Sequence, residues 1–269
     1  MKLVRTALMM AMGFSCAVPL VRADEPKKDD ATVKPATPAA PAKPAPAKDE
    51  PSVPSIKGAP GPNNGFLKRH EGFLKDKEML LSKGPIQFLL VGDSITDGWR
   101  GGKGKEVFES AFGQYNPYNI GIGGDRTQHV LWRLENGEVD GIKPKVAMLM
   151  IGTNNTGSSS AEDIAAGVTK CVQLLRTKLP DTKVLLLGVF PRAEKPENPA
   201  RAKIKSINEI IQKLDVGGKT VKYLDITDKF LDKDGTLPKD IMPDFLRPNA
   251  KGYQIWADAV KPTLDEMMK

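Results

Sequence analysis

Four short segments contain residues whose types suit attack on an electrophilic carbon and stabilisation of the charge that results. In "VGDSITDGW" (91–99) Ser94 follows an apolar run, where a strand gives way to a helix. A serine at such a turn is exposed at a sheet edge, with its own N–H able to face a bound oxyanion. Gly92 and Asp93 make the turn feasible, although Asp-Ser also starts helices by ordinary N-capping. In "NIGIGGDRTQHVLWRL" (119–134) the Gly123-Gly124 pair lets backbone N–H groups approach a ligand without side-chain obstruction; a tight turn before a helix needs the same pair. "IGTNN" (151–155) ends a third apolar run in Asn154 and Asn155. An amide donor aimed at developing oxyanion charge is worth ~3 kcal/mol, and asparagine is equally a good turn residue. "DFLRPNAKGYQIWADAV" (244–260) places Asp244 three residues before Arg247, ahead of a helix. Each segment alone has a purely structural explanation. All four in order, each at the predicted edge of one sheet, form a strong joint signal.

The elements that must position these residues alternate. β-rich runs at 85–91, 115–121, 146–152, 183–190 and 221–226 end in polar or glycine-rich turns. Helical patterns occupy 66–82, 127–135, 160–179, 199–214 and 251–268. Strands alternating with helices predict a parallel sheet covered on both faces. Near-continuous apolar strands such as "VLLLGVF" suit that double burial. Ligands of open α/β sheets sit at the carboxyl ends of the strands, where the four segments fall.

The ends of the 269-residue chain differ in character. Residues 1–23 read as a secretory signal peptide: Lys2 and Arg5 precede an apolar run from Ala7 to Val21, and Val21-Arg22-Ala23 is a small-residue cleavage site. That run is short for a membrane span, so the expectation is an exported protein, periplasmic or extracellular, with no integral membrane segment after cleavage. Cys16 fits a lipidation site poorly. Residues 24–62 hold ten of the 22 prolines, and their composition predicts an extended, disordered linker. The folded domain is expected at 63–269. Loss of three basic residues with the leader takes the formal charge from +7 to +4, with no basic run interleaved with aromatics, so nucleic-acid binding has no support. Cys171, the one cysteine left, sits among Val168, Val172 and Leu175 and reads as a small buried apolar residue.

"GDSIT", "NIGIGGDRTQHVLWRLENGEVDGIKPK", "GTNN", "GVFPRAEKPENPAR" and "DFLRPNAKGYQIWADAV" together resemble the SGNH (GDSL-type) hydrolase family. They are most similar to the branch containing the catalytic subunits of platelet-activating-factor acetylhydrolase. The resemblance spans about residues 65–268. It implies a flavodoxin-like three-layer α/β/α sandwich with a parallel five-stranded sheet, and hydrolysis of short acyl esters of lipids or glycans without metal or cofactor. It also implies Ser94 as nucleophile, an oxyanion hole of the Ser94 and Gly124 N–H groups and the Asn154 amide, and Asp244 as the carboxylate orienting the base. The branch includes dimers, so a homodimer is an expectation by analogy alone.

In that family the base is a histidine three residues after the aspartate, and Arg247 stands there. Imidazole exchanges protons near pH 6.5, whereas arginine titrates above ~12 and stays charged. Losing the base of a serine triad costs ~10⁶-fold in turnover. The chain has two histidines. His70, on the opening helix, is expected to pack or to make a surface hydrogen bond, and His129, part of the family's "TQHVLWRL" pattern, is expected to be structural. Asp93 and Asp125 lie near the site in sequence, but an ordinary carboxylate is a weak base for a serine hydroxyl. The expectation is therefore a strongly impaired esterase. The alternatives are a non-catalytic ligand- or glycan-binding protein and a site in which Arg247 holds an anionic substrate group.

Overall fold

The computed structural model describes residues 50–269. The leader expected at 1–23 and residues 24–49 of the expected linker lie outside them.

Five parallel strands make the sheet: β1 (Phe88–Gly92), β2 (Pro117–Asn119), β3 (Val146–Met150), β4 (Lys183–Leu187) and β5 (Val221–Leu224), in the order β2-β1-β3-β4-β5. This is the flavodoxin-like order, which reverses between β1 and β3 and opens a crevice at their carboxyl ends. Successive strand residues point to opposite faces, and each face has its own core. Leu89, Val91, Ala147, Leu149 and Val184 pack into one core with α1 (Gly65–Lys83), α4 (Thr127–Glu135), α5 (Ala161–Lys178) and α6 (Pro199–Ile211). Phe88, Leu90, Met148 and Leu185 pack into the other, with Trp99, Phe112 and Trp256. Burial on both sides explains why the strands read as unbroken apolar runs. β2 is an edge strand of three residues, and Pro117, which has no N–H, begins it.

The helices follow the sequence pattern with two departures. α3 (Gly102–Phe112) has no counterpart among the expected helices, because Gly102 and Gly104 depress its helical signal. It is held by an aromatic cluster in which Phe108 and Phe112 lie 5.7 Å from Trp99, and Trp99 in turn 4.9 Å from Trp256 of α7 (Ala250–Met267). The stretch expected as helix over 199–214 leaves α-geometry after Ile211 and finishes as a 3₁₀ turn.

Residues 50–62 correct the expected linker boundary. Pro51 is buried, and its carbonyl accepts the Thr127 hydroxyl at 2.7 Å. The Ser55 N–H donates to Gln128 O at 3.1 Å, and Asn64 Nδ2 donates to the carbonyls of Lys57 (2.9 Å) and Ala59 (2.7 Å). A Cβ at Gly167 of α5 would stand 2.6 Å from Pro51 O, so glycine there lets the strap lie against the helix. Composition missed this because what holds the strap, the polar contacts above and the packing of Ile56 on the core, is made with elements distant in sequence. Folded structure thus begins by residue 50. Cys171 is buried as expected, its thiol facing Thr127 O at 3.7 Å and pushed above its ordinary pKa by burial.

Candidate active site

Ser94 opens the one-turn helix α2 (Ser94–Asp97) directly after β1, and it is half-buried at the sheet's carboxyl edge. Asp93 caps this turn: its Oδ1 accepts the Ile95 N–H at 2.9 Å, while its Oδ2 is buried with no hydrogen-bond partner. The N-cap reading of Asp-Ser holds, and the cap shapes the turn that carries Ser94. Burial pushes the Asp93 carboxyl up to about 7, opposed by the Ile95 N–H and by the charges of Arg247 and Arg192. A carboxyl poised near neutrality sits beneath the serine turn.

After β2 the chain makes the Gly123-Gly124 turn. Gly124 has φ +75°, a left-handed conformation that glycine adopts without strain. A Cβ placed on Gly123 would lie 3.9 Å from Ser94 Cβ, so the turn and the serine are neighbours. Behind the turn Asp125 and Arg133 pair at 2.9 Å, Arg133 pairs in turn with Glu138, and Glu138 bonds His70 at 2.8 Å; all four side chains are buried. His70 of α1 is thus hydrogen-bonded to the end of an ion-pair chain that supports the turn. His129 Nδ1 accepts the Arg126 N–H at 3.0 Å within the first turn of α4, and its ring contacts Phe66 edge-on. His70 packs against Trp132, one of its two expected roles, but its hydrogen bond is buried and not at the surface.

The two asparagines after β3 separate. Asn155 is buried, accepting from Thr127 N at 3.1 Å and donating to Gln128 Oε1 at 2.9 Å. Asn154 is half-buried, and its amide gives one hydrogen to Asp125 O at 2.8 Å, which ties the end of β3 to the glycine turn.

Asp244 and Arg247 come from the loop before α7, and both are exposed. Asp244 Oδ1 accepts the backbone N–H groups of Leu246 (3.2 Å) and Arg247 (2.7 Å), and Oδ2 accepts Arg247 Nη1 at 2.8 Å. Arg247 Nε donates to Ser94 Oγ at 3.4 Å. The guanidinium therefore lies between the serine and the carboxylate. The loop is shaped by two non-glycine residues in the left-handed region, Ala193 (φ 66°) and Phe245 (φ 53°), joined by an Ala193 N–H to Phe245 O bond of 2.9 Å. Such strain persists only where surrounding contacts enforce it, and it concentrates at functional sites.

Sequence reasoning missed three residues of this neighbourhood. Arg192, after β4, donates to Thr153 O at 2.9 Å and lines a pocket of ≈ 480 Å³ bounded by Lys203 and Asp244. Its place at a strand end was the available signal. Lys57 and Arg69 line a second pocket, and Lys57, inside a proline-rich segment, gave none. A roomier pocket of ≈ 630 Å³, lined by Asn208, Tyr223 and Asp225, lies on the β4–β5 side and contains none of the residues around Ser94. Among the described residues no group of three or more His, Cys, Asp or Glu could hold a metal ion, and no helix is long and apolar enough to cross a membrane.

A serine at the first strand-to-helix turn, a glycine turn after the second strand, an asparagine after the third and an Asp-containing loop before the last helix are the arrangement of an SGNH-type acylhydrolase. The profile of the GDSL-like lipase/acylhydrolase family matches residues 90–255. The chain is 37% identical over 207 residues to the platelet-activating factor acetylhydrolase IB subunit alpha2 of Rattus norvegicus, covering 76% of this chain and 84% of that protein. It is 36% identical over 188 residues to the alpha1 subunit of Homo sapiens, covering 70% and 78%. Among solved structures it is similar to a GDSL-like lipase from Bacteroides thetaiotaomicron, with a TM-score of 0.60, 19% identity, and 73% of this chain and 98% of that one covered. The chain belongs to the GDSL-like lipase/acylhydrolase family.

Proposed function

We propose that this chain is an exported serine esterase for short acyl esters, acetyl above all, whose turnover is strongly reduced because Arg247 occupies the place of the general base. Ser94 is the nucleophile, with the N–H groups of Ser94 and Gly124 and the side-chain amide of Asn154 as oxyanion donors. Asp244 is the orienting carboxylate. The observation that carries this reading is the guanidinium held by Asp244 at 2.8 Å and facing Ser94 Oγ at 3.4 Å. A base in that position would accept the serine proton and return it to the leaving alcohol. Arginine has no lone pair to accept it and donates to Oγ instead. Ester hydrolysis itself is supported by family membership, and export by the leader-like segment at 1–23.

The test is hydrolysis of p-nitrophenyl acetate by the parent, Arg247→His and Ser94→Ala. The histidine variant is expected to be much faster than the parent, and the alanine variant to lose what the parent has. A parent that is already fast, and is silenced only by Ser94→Ala, overturns the impairment. The second reading, a ligand-binding protein using the same crevice, draws on Arg247 itself, a cation placed where an ester would sit. It prevails if the histidine variant stays inactive while the crevice still binds ester analogues.

A further inference from the structure

A pocket of ≈ 570 Å³ lies between the 50–62 strap, the start of α1 and the glycine turn, whose Gly123 neighbours Ser94. Lys57 reaches into it from the strap and donates to Gly123 O at 2.5 Å. A Cβ on Gly124 would meet Lys57 Nζ at 2.7 Å, so the ammonium lies against the turn assigned to the oxyanion hole. Arg69 of α1 lines the same pocket. The one carboxylate in its wall, Asp97, is engaged twice, by Arg69 Nη2 at 3.4 Å and by Arg100. Among the described residues Lys57 has no carboxylate within ion-pair distance and is half-buried. Arg69 and Arg100 thus share the Asp97 carboxylate, while Lys57, against the glycine turn, makes no ion pair among the described residues: the carboxylate whose field it feels, Asp125, is itself paired with Arg133. A partly desolvated cation is costly to leave unpaired and strengthens any anion that reaches it.

We propose that this pocket receives an anionic group, carboxylate or phosphate, carried by the alcohol part of the ester, and that Lys57, with Arg69, is a specificity-determining residue. The inference rests on the proposed esterase site for its assignment to the alcohol part. The strap, fixed at Pro51, Ser55 and Asn64, is then a wall of the binding site.

Affinity is the readout, so impaired turnover does not interfere. Calorimetry on the parent compares 3- and 4-acetamidobenzoate with their neutral methyl esters, and adds 4-acetamidophenyl phosphate to separate carboxylate from phosphate preference. Charge-assisted contacts to two partly exposed cations should favour one or more of the anions by about tenfold. Lys57→Gln with Arg69→Gln should bring the ratio near one, Lys57→Arg should keep it, and Arg247→Gln should leave it standing. Equal affinity for anions and esters in the parent overturns the proposal, as does a preference that survives the Gln pair or disappears with Arg247→Gln. Failure of the esterase reading shows separately, as an Arg247→His variant that gains no hydrolysis while the affinity ratio is unchanged.

Discussion

Replacing Arg247 by histidine asks one side chain to account for most of a catalytic barrier. Losing the base from a serine triad costs ~10⁶-fold in turnover, about 8 kcal/mol of transition-state stabilisation. Much of what a new base needs is already in place. Asp244 Oδ1 holds the backbone N–H of residue 247 at 2.7 Å, a bond that does not depend on the side chain. Asp244 Oδ2, now taken by Nη1 at 2.8 Å, becomes free to accept an imidazole N–H and fix the tautomer. The remaining adjustment is the approach to Ser94 Oγ, where Nε stands at 3.4 Å and a working base needs about 2.6–3.2 Å. An imperfect fit forfeits part of the gain, so the expected rise in kcat/KM on p-nitrophenyl acetate is at least ~10³-fold rather than the full range. The rate of the variant should climb with pH through about 6.5 as the imidazole loses its proton. Arg247→Gln removes the charge without adding a base and should remain near the parent. Labelling of Ser94 by a fluorophosphonate should accelerate with Arg247→His alone. A glutamine variant as active as the histidine variant would refute the reasoning, because relief of positive charge, and not a proton acceptor, would then be the limiting factor.

Other consequences concern stability and the strap. Burial raises the Asp93 carboxyl to about 7, so the folded chain holds this proton more tightly than the unfolded one. Its contribution to stability therefore falls as pH rises from about 4 to about 7 and is level above. Asp93→Asn should remove that slope and stabilise the protein at pH 8 by up to about 4 kcal/mol, read from urea midpoints across the range; an unchanged slope rules Asp93 out as its source. Arg133→Met leaves Asp125 and Glu138 buried without their shared cation and should cost ~3–5 kcal/mol in urea unfolding; a loss below about 1 kcal/mol contradicts the burial argument. Gly167→Ala drives a Cβ within 2.6 Å of Pro51 O, so limited proteolysis should cut the strap several-fold faster than in the parent, and an unchanged cleavage rate shows that the strap is not held there.

How much of this was legible beforehand follows from where each signal lives. Ser94, the glycine pair, Asn154 and Asp244 each follow an apolar run or precede a helix, and short-range pattern suffices to find them. The strands could be read because burial on both faces leaves them almost wholly apolar, and α3 could not because its glycines mask an amphipathic face that only Trp99 and α7 complete. Sequence alone settled that the residue after Asp244-Phe245-Leu246 is an arginine, which by its pKa cannot be a base. Tertiary structure alone decided where that arginine points, which asparagine is half-buried at the glycine turn, and that Lys57, from a segment whose composition reads as unfolded, stands beside Gly123 and Gly124. The physical reason is range. Periodicity and turn chemistry act over a few residues, whereas Lys57 and Gly123 are 66 positions apart and Ser94 and Arg247 153, and contacts at that separation exist only once the sheet has gathered its strand ends.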